Sequence, residues 1–124
     1  METLYTETAP KPIGPYSQGK SISGFFYLSG QIGIDPKTGN LVEGLEAQTE
    51  MALSNIENIL KSQGLSLSNV IKTTVYLTSM SLFSDFNRVY AEKFSGENLP
   101  ARTTVGVAEL PKNALVEIEV IAHQ

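Results

Sequence analysis

The sequence predicts an α+β domain, with two amphipathic helices on one face of a sheet and the order β-β-α-β-α-β-β. Three patterns predict it. Leu45, Ala52, Leu53, Ile56, Ile59 and Leu60 recur at helical spacing, as do Leu82, Phe83, Phe86, Val89, Tyr90 and Phe94. Asn69–Leu77 is a run rich in β-branched residues. Leu115–Ala122 alternates, with Val116, Ile118, Val120 and Ala122 on one side and Leu115, Glu117, Glu119 and Ile121 on the other. At 124 residues the chain, 1–124, is a single domain.

The elements follow in order. Pro10–Gly19 holds three prolines and two glycines, which forbid a helix and give a restricted, extended loop. Lys20–Ile34 reads as two strands or one long bent strand, centred on Phe25–Leu28 and interrupted at Ser29-Gly30. Asp35–Asn40 is a turn. The first helix spans Leu45–Gln63, with Gly64 as its C-cap. After the strand at Asn69–Leu77 comes a second helix, Ser81–Phe94, capped by Ser79 or Ser81. Ala101–Val107 and Leu115–Ala122 are the last two strands. With helices on one face, the other carries Thr74, Tyr76, Leu115 and Ile121, a half-apolar surface that favours self-association.

Composition narrows the function. The chain is 41% hydrophobic and 18% charged, with a net charge of −4, so broad nucleic-acid binding is disfavoured. It has no cysteine and one histidine, His123. Thiol nucleophiles, thiolate metal sites, multi-histidine metal sites and a central serine–histidine dyad are excluded, so no metal is expected. No apolar run reaches a membrane span and no secretory signal is evident, which leaves a cytoplasmic protein as the expectation.

Arg102 opens a strand, and its planar fork suits a carboxylate. Glu117 and Glu119 share a strand face, and either carboxyl, partly buried, could hold water or move a proton. The short connection between their strands predicts a hairpin-like pair with Arg102 facing Glu117. Tyr16 is fixed by Pro15. Ser29-Gly30 reads as a bulge or a ligand-facing amide, and Asn87 sits mid-helix, where asparagine is a mediocre choice. Taken singly, each also fits an ordinary structural role.

Together the segments are more specific. IGPYSQG (13–19), SGQIGIDPKTG (29–39), VIKTTVYL (70–77), FNRVYAEKF (86–94), PARTTV (100–105) and LPKNALVEIEVIA (110–122) resemble the RidA, or YjgF, family over nearly the whole chain. The resemblance implies a chorismate-mutase-like fold. It also implies a homotrimer with a central β-barrel and clefts between subunits. The implied activity is hydrolysis of 2-imino acids and their enamine tautomers, such as 2-iminobutanoate and 2-iminopropanoate, to 2-keto acids and ammonia, without a cofactor. Pyridoxal-phosphate-dependent dehydratases release such imines. By position, Arg102 matches the carboxylate-binding arginine and Glu117 the acidic residue that orients water. Tyr16, Ser29, Gly30 and Asn87 match cleft residues. Thr104 stands where many members carry cysteine, which excludes thiol-based regulation there while retaining the backbone carbonyl.

Two other readings remain at this stage. A ribonuclease that inhibits translation is also attributed to the family, but the acidic charge and the absence of an internal histidine speak against RNA cleavage. A non-catalytic module binding small carboxylates would use Arg102 and have no need of acid–base chemistry at Glu117.

Overall fold

A computed structural model describes residues 1–124. The strongest helical pattern becomes α1 (Leu45–Lys61), whose buried stripe includes Ala52, Leu53, Ile56 and Ile59. Beyond its end, Gly64 takes φ 75° while Leu65 N–H donates to Leu60 O, closing the last turn as a left-handed cap. The second helix, α2 (Phe83–Lys93), is preceded by a short 3₁₀ turn, Met80–Leu82. The Ser79 hydroxyl accepts from Ser81 N–H at the head of that turn, so the serine cap belongs to the 3₁₀ turn and α2 continues from it.

Six strands form one sheet: β1 (Glu2–Leu4), β2 (Gly19–Ile22), β3 (Phe25–Leu28), β4 (Val70–Leu77), β5 (Ala101–Gly106) and β6 (Val116–His123). The N-terminal β1 is an addition to the expected order. Its three residues pair with β2 and bury Leu4, too short a run for alternation to register in sequence. The break in the Lys20–Ile34 region falls at Ser23-Gly24, both at positive φ, which makes β2 and β3 a tight hairpin. Ser29-Gly30 ends β3, and Gln31 then bridges Ile118 on β6.

The sheet order is β1-β2-β3-β6-β4-β5. This corrects the expected β5–β6 hairpin. α2 is a crossover that lays β5 parallel to β4, and β6 pairs antiparallel on the other side of β4. The chain between β5 and β6 steps over the C-terminal end of β4: Val107 N–H donates to Leu77 O, and Thr78 N–H donates to Leu115 O. Lys112 and Asn113 at positive φ make the reversal.

Both helices cover one face. Phe26, Leu28, Val75, Leu77, Val116, Ile118, Val120 and Ala122 point into a core shared with α1 and α2. Thr74, Tyr76, Glu117, Glu119 and Ile121 lie half-buried on the opposite face. Leu115, expected with them, packs against the main core instead, because it precedes β6 and its N–H is tied to Gln48 Oε1 at 2.8 Å.

Candidate active site

The register divides the expected site. Arg102 stands beside Thr73, which is fully buried toward the helices, whereas Glu117 stands beside Tyr76 on the open face. The two side chains therefore project from opposite faces of the sheet, with β4 between their strands. Within one chain they do not face each other, contrary to the hairpin expectation.

The helix-side group is built by packing. The Arg102 guanidinium lies 4.7 Å from the centroid of Tyr90 and 5.7 Å from those of Phe83 and Phe86. These rings descend from the apolar stripe of α2, and the Tyr90 hydroxyl is held at 2.8 Å from Thr73 Oγ1. Burial pushes the Tyr90 phenol up from its ordinary range, against the Thr73 hydrogen bond and the Arg102 charge. Arg102 forms no ion pair; the ion pairs of the molecule belong to Arg88 and Lys93. Asn87, Tyr90, Ala91, Phe94, Leu99 and Pro100 line a shallow cleft beside it. Asn87 Oδ1 and Thr104 Oγ1 are buried without partners, so this group carries acceptors the chain itself does not satisfy.

The open-face group is built by desolvation and by a missing side chain. Tyr16, Gly30 and Glu117 line a narrow cleft together with Lys11, Gln31 and Pro111. A Cβ on Gly30 would lie 2.9 Å from both Cδ and Oε2 of Glu117, so the carboxyl occupies the space glycine leaves. Burial raises the Glu117 carboxyl above the usual carboxylate range, and the Glu119 charge adds to the effect. Tyr16 is half exposed, and its hydroxyl accepts from Ile13 N–H at 3.3 Å. Ser29 supports this loop from beneath: its hydroxyl donates to Ser17 O at 2.5 Å, and its N–H donates to Gln18 O. The serine hydroxyl is thus engaged with backbone.

Sequence reasoning missed several supports. Gln18, 2% exposed, donates to Thr6 O and Pro10 O and accepts from Thr6 N–H, locking the Pro-rich loop. Gln48 on α1 anchors the start of β6. Gly33 lets the chain press on α1, where a Cβ would fall 2.5 Å from Gln48 Cα. The one available signal was Gln48, a glutamine within the apolar pattern of α1. The aromatic bed of Arg102 was visible as Phe83, Phe86 and Tyr90, but at helical spacing it reads simply as core.

An unpaired arginine on an aromatic bed and a desolvated carboxyl in a cleft thus sit on opposite faces of one helix-covered α+β sheet. The model of the family described as Endoribonuclease L-PSP matches residues 6–124, and the chain belongs to that family, the RidA/YjgF family its motifs resemble. A RutC family protein of Pyrococcus horikoshii is 53% identical over 124 residues, covering 99% of this chain and 98% of the relative. The 2-iminobutanoate/2-iminopropanoate deaminase of Mus musculus is 44% identical, covering 99% of this chain and 91% of its own. The crystal structure of E. coli TdcF with bound serine superposes with a TM-score of 0.93 at 36% identity, covering 100% of this chain and 99% of that one.

Proposed function

We propose that the protein hydrolyses 2-imino acids and their enamine tautomers, with 2-iminobutanoate and 2-iminopropanoate as representative substrates, to 2-keto acids and ammonia. The single observation that carries this reading is Arg102, bedded on three rings and without a carboxylate partner. A guanidinium fixed in this way is ready to take a substrate carboxylate through two parallel hydrogen bonds. The mouse deaminase relative supports the same chemistry.

The opposite projection of Arg102 and Glu117 supports a site shared between copies of the chain, in a homotrimer whose sheets close a central barrel. Arg102, Asn87 and Thr104 of one subunit would face Glu117, Gly30 and Tyr16 of the next. The carboxylate held on Arg102 places the imine carbon beside a water at Glu117. Such positioning lowers a bimolecular barrier by up to roughly 7–11 kcal/mol in well-oriented systems. Imines already hydrolyse in water, so a modest acceleration suffices. Glu117 gives a proton to the imine nitrogen, recovers one from the attacking water and passes it to the departing nitrogen.

The serine held by E. coli TdcF favours a second, non-catalytic reading in which the cleft only binds small amino or keto acids. The test covers both. Release of 2-iminobutanoate from a dehydratase is followed by its loss and by keto-acid formation. Wild-type protein accelerates the loss, Arg102→Ala does not, and Glu117→Gln retains keto-acid binding while losing turnover. Undiminished turnover in Glu117→Gln, or wild-type rates in Arg102→Ala with an intact fold, contradicts the deaminase.

A further inference from the structure

Two residues beside Glu117 have no part in the mechanism so far. Tyr76 is the β4 partner of Glu117 in register, yet its hydroxyl reaches diagonally and donates to Glu119 Oε1 at 2.5 Å. Glu119 lies two residues along β6 on the same face as Glu117, roughly 7 Å away along the strand. Neither carboxyl forms an ion pair. We infer that Tyr76 and Glu119 are a positioning pair for Glu117: the phenol of its register partner fixes a second carboxylate on the same sheet face, where the negative charge favours Glu117 as a proton donor while an imino acid is bound. The inference rests on the proposed hydrolysis.

The groups facing Glu117 agree with it. From β6 comes Glu119, and from β4 comes the neutral phenol of Tyr76. Lys72, also on β4, turns its Nζ to Thr74 Oγ1 and Thr103 Oγ1 at 3.2 and 3.4 Å and makes no ion pair with Glu117 or Glu119. Lys11 and Tyr16 line the cleft from the Pro-rich loop, and Lys11 makes no ion pair with Glu117. Gly30, directly beneath the carboxyl, contributes no side chain. Arg102 of the partner subunit is the one cation the shared site would add, and a bound substrate carboxylate offsets its charge. Burial and the Glu119 charge both raise the Glu117 carboxyl. Tyr76 is itself raised, first by its hydrogen bond to Glu119, so it stays a donor across the neutral range.

The proton ledger closes with one group. Protonated Glu117 gives its proton to the imine nitrogen. Water then forms the C–O bond as the C=N π pair moves to nitrogen, and its proton returns to Glu117. A second donation to the amine nitrogen breaks the C–N bond, and the hydroxyl proton returns to Glu117 as the ketone forms. Each donation requires the protonated form, which a lone exposed glutamate would rarely hold at neutral pH.

The experiment is a ¹³C NMR titration of side-chain carboxyls in the assembled full-length protein, with the Glu117 signal identified by its loss in Glu117→Gln. The Glu117 midpoint is expected to fall in Glu119→Gln and, by less, in Tyr76→Phe, with no further fall in the double variant. The high-pH limb of kcat for 2-iminobutanoate should move the same way, leaving rates above it about three- to tenfold lower. An unmoved midpoint in Glu119→Gln, or additive shifts in the double variant, overturns the inference whatever the activity. Shifted midpoints in a protein that hydrolyses no imino acid overturn the functional reading instead, leaving the charge pair standing.

Discussion

The two halves of the candidate site achieve readiness by opposite means. On the helix side, Arg102 is surrounded: three rings from α2 fix a cation whose charge is left unpaired. On the open face, Glu117 is accommodated: Gly30 withholds a side chain, and the carboxyl settles into that space against its own preference for ionisation. Packing thus leaves a cation without a partner, and desolvation leaves a carboxyl that resists ionisation. The sheet keeps the two apart within one chain.

Substitutions that confuse the two strategies should separate them. Arg102→Lys keeps the charge but loses the planar fork and the stacking, so kcat/KM for 2-iminobutanoate should fall about a hundredfold, mainly through KM. Gly30→Ala should cost about ten- to a hundredfold, mainly in kcat, because the new Cβ displaces the Glu117 carboxyl. Gly39→Ala is the control: it too is a glycine, at φ 77° with nothing within 4 Å, and should cost about 1–2 kcal/mol of stability with unchanged kinetics. Phe83→Ala removes one ring from the bed and should raise KM about three- to tenfold with little change in kcat.

The smallest effect concerns stability. The folded-state pKa of Glu117 is raised, so its contribution is fully present below the ordinary carboxylate range and is lost as pH rises through the raised value. Glu117→Gln should therefore resist urea slightly better than wild type at about pH 7, and the advantage should vanish at about pH 3.5. A variant less stable than wild type at neutral pH would show that the carboxyl supports the fold rather than straining it.

How much of this the residues disclosed follows from the kind of signal each feature leaves. α1, α2, β4 and β6 carry periodicities long enough to read, and they fall close to the expected positions. β1 is held by backbone pairing to β2 and leaves no period. The sheet order was misread because a short connection normally means a hairpin, and here the α2 crossover had already placed β5 on the far side of β4. That misreading also set Arg102 opposite Glu117. The candidate site residues emerged from the family resemblance, since none exceeded an ordinary role alone. The Tyr76–Glu119 bond is diagonal to the register, and no strand pattern predicts a diagonal.

The central claim is that Arg102 and Glu117 act together only across two copies of the chain. Mixing tests it directly: Arg102→Ala and Glu117→Gln, each inactive alone, are unfolded together in equal amounts, refolded and assayed for imine loss. Shared sites predict recovery of about a quarter of wild-type activity, since random assembly pairs an intact Arg102 with an intact Glu117 at that frequency. No recovery from a mixture that demonstrably exchanges subunits would contradict the account.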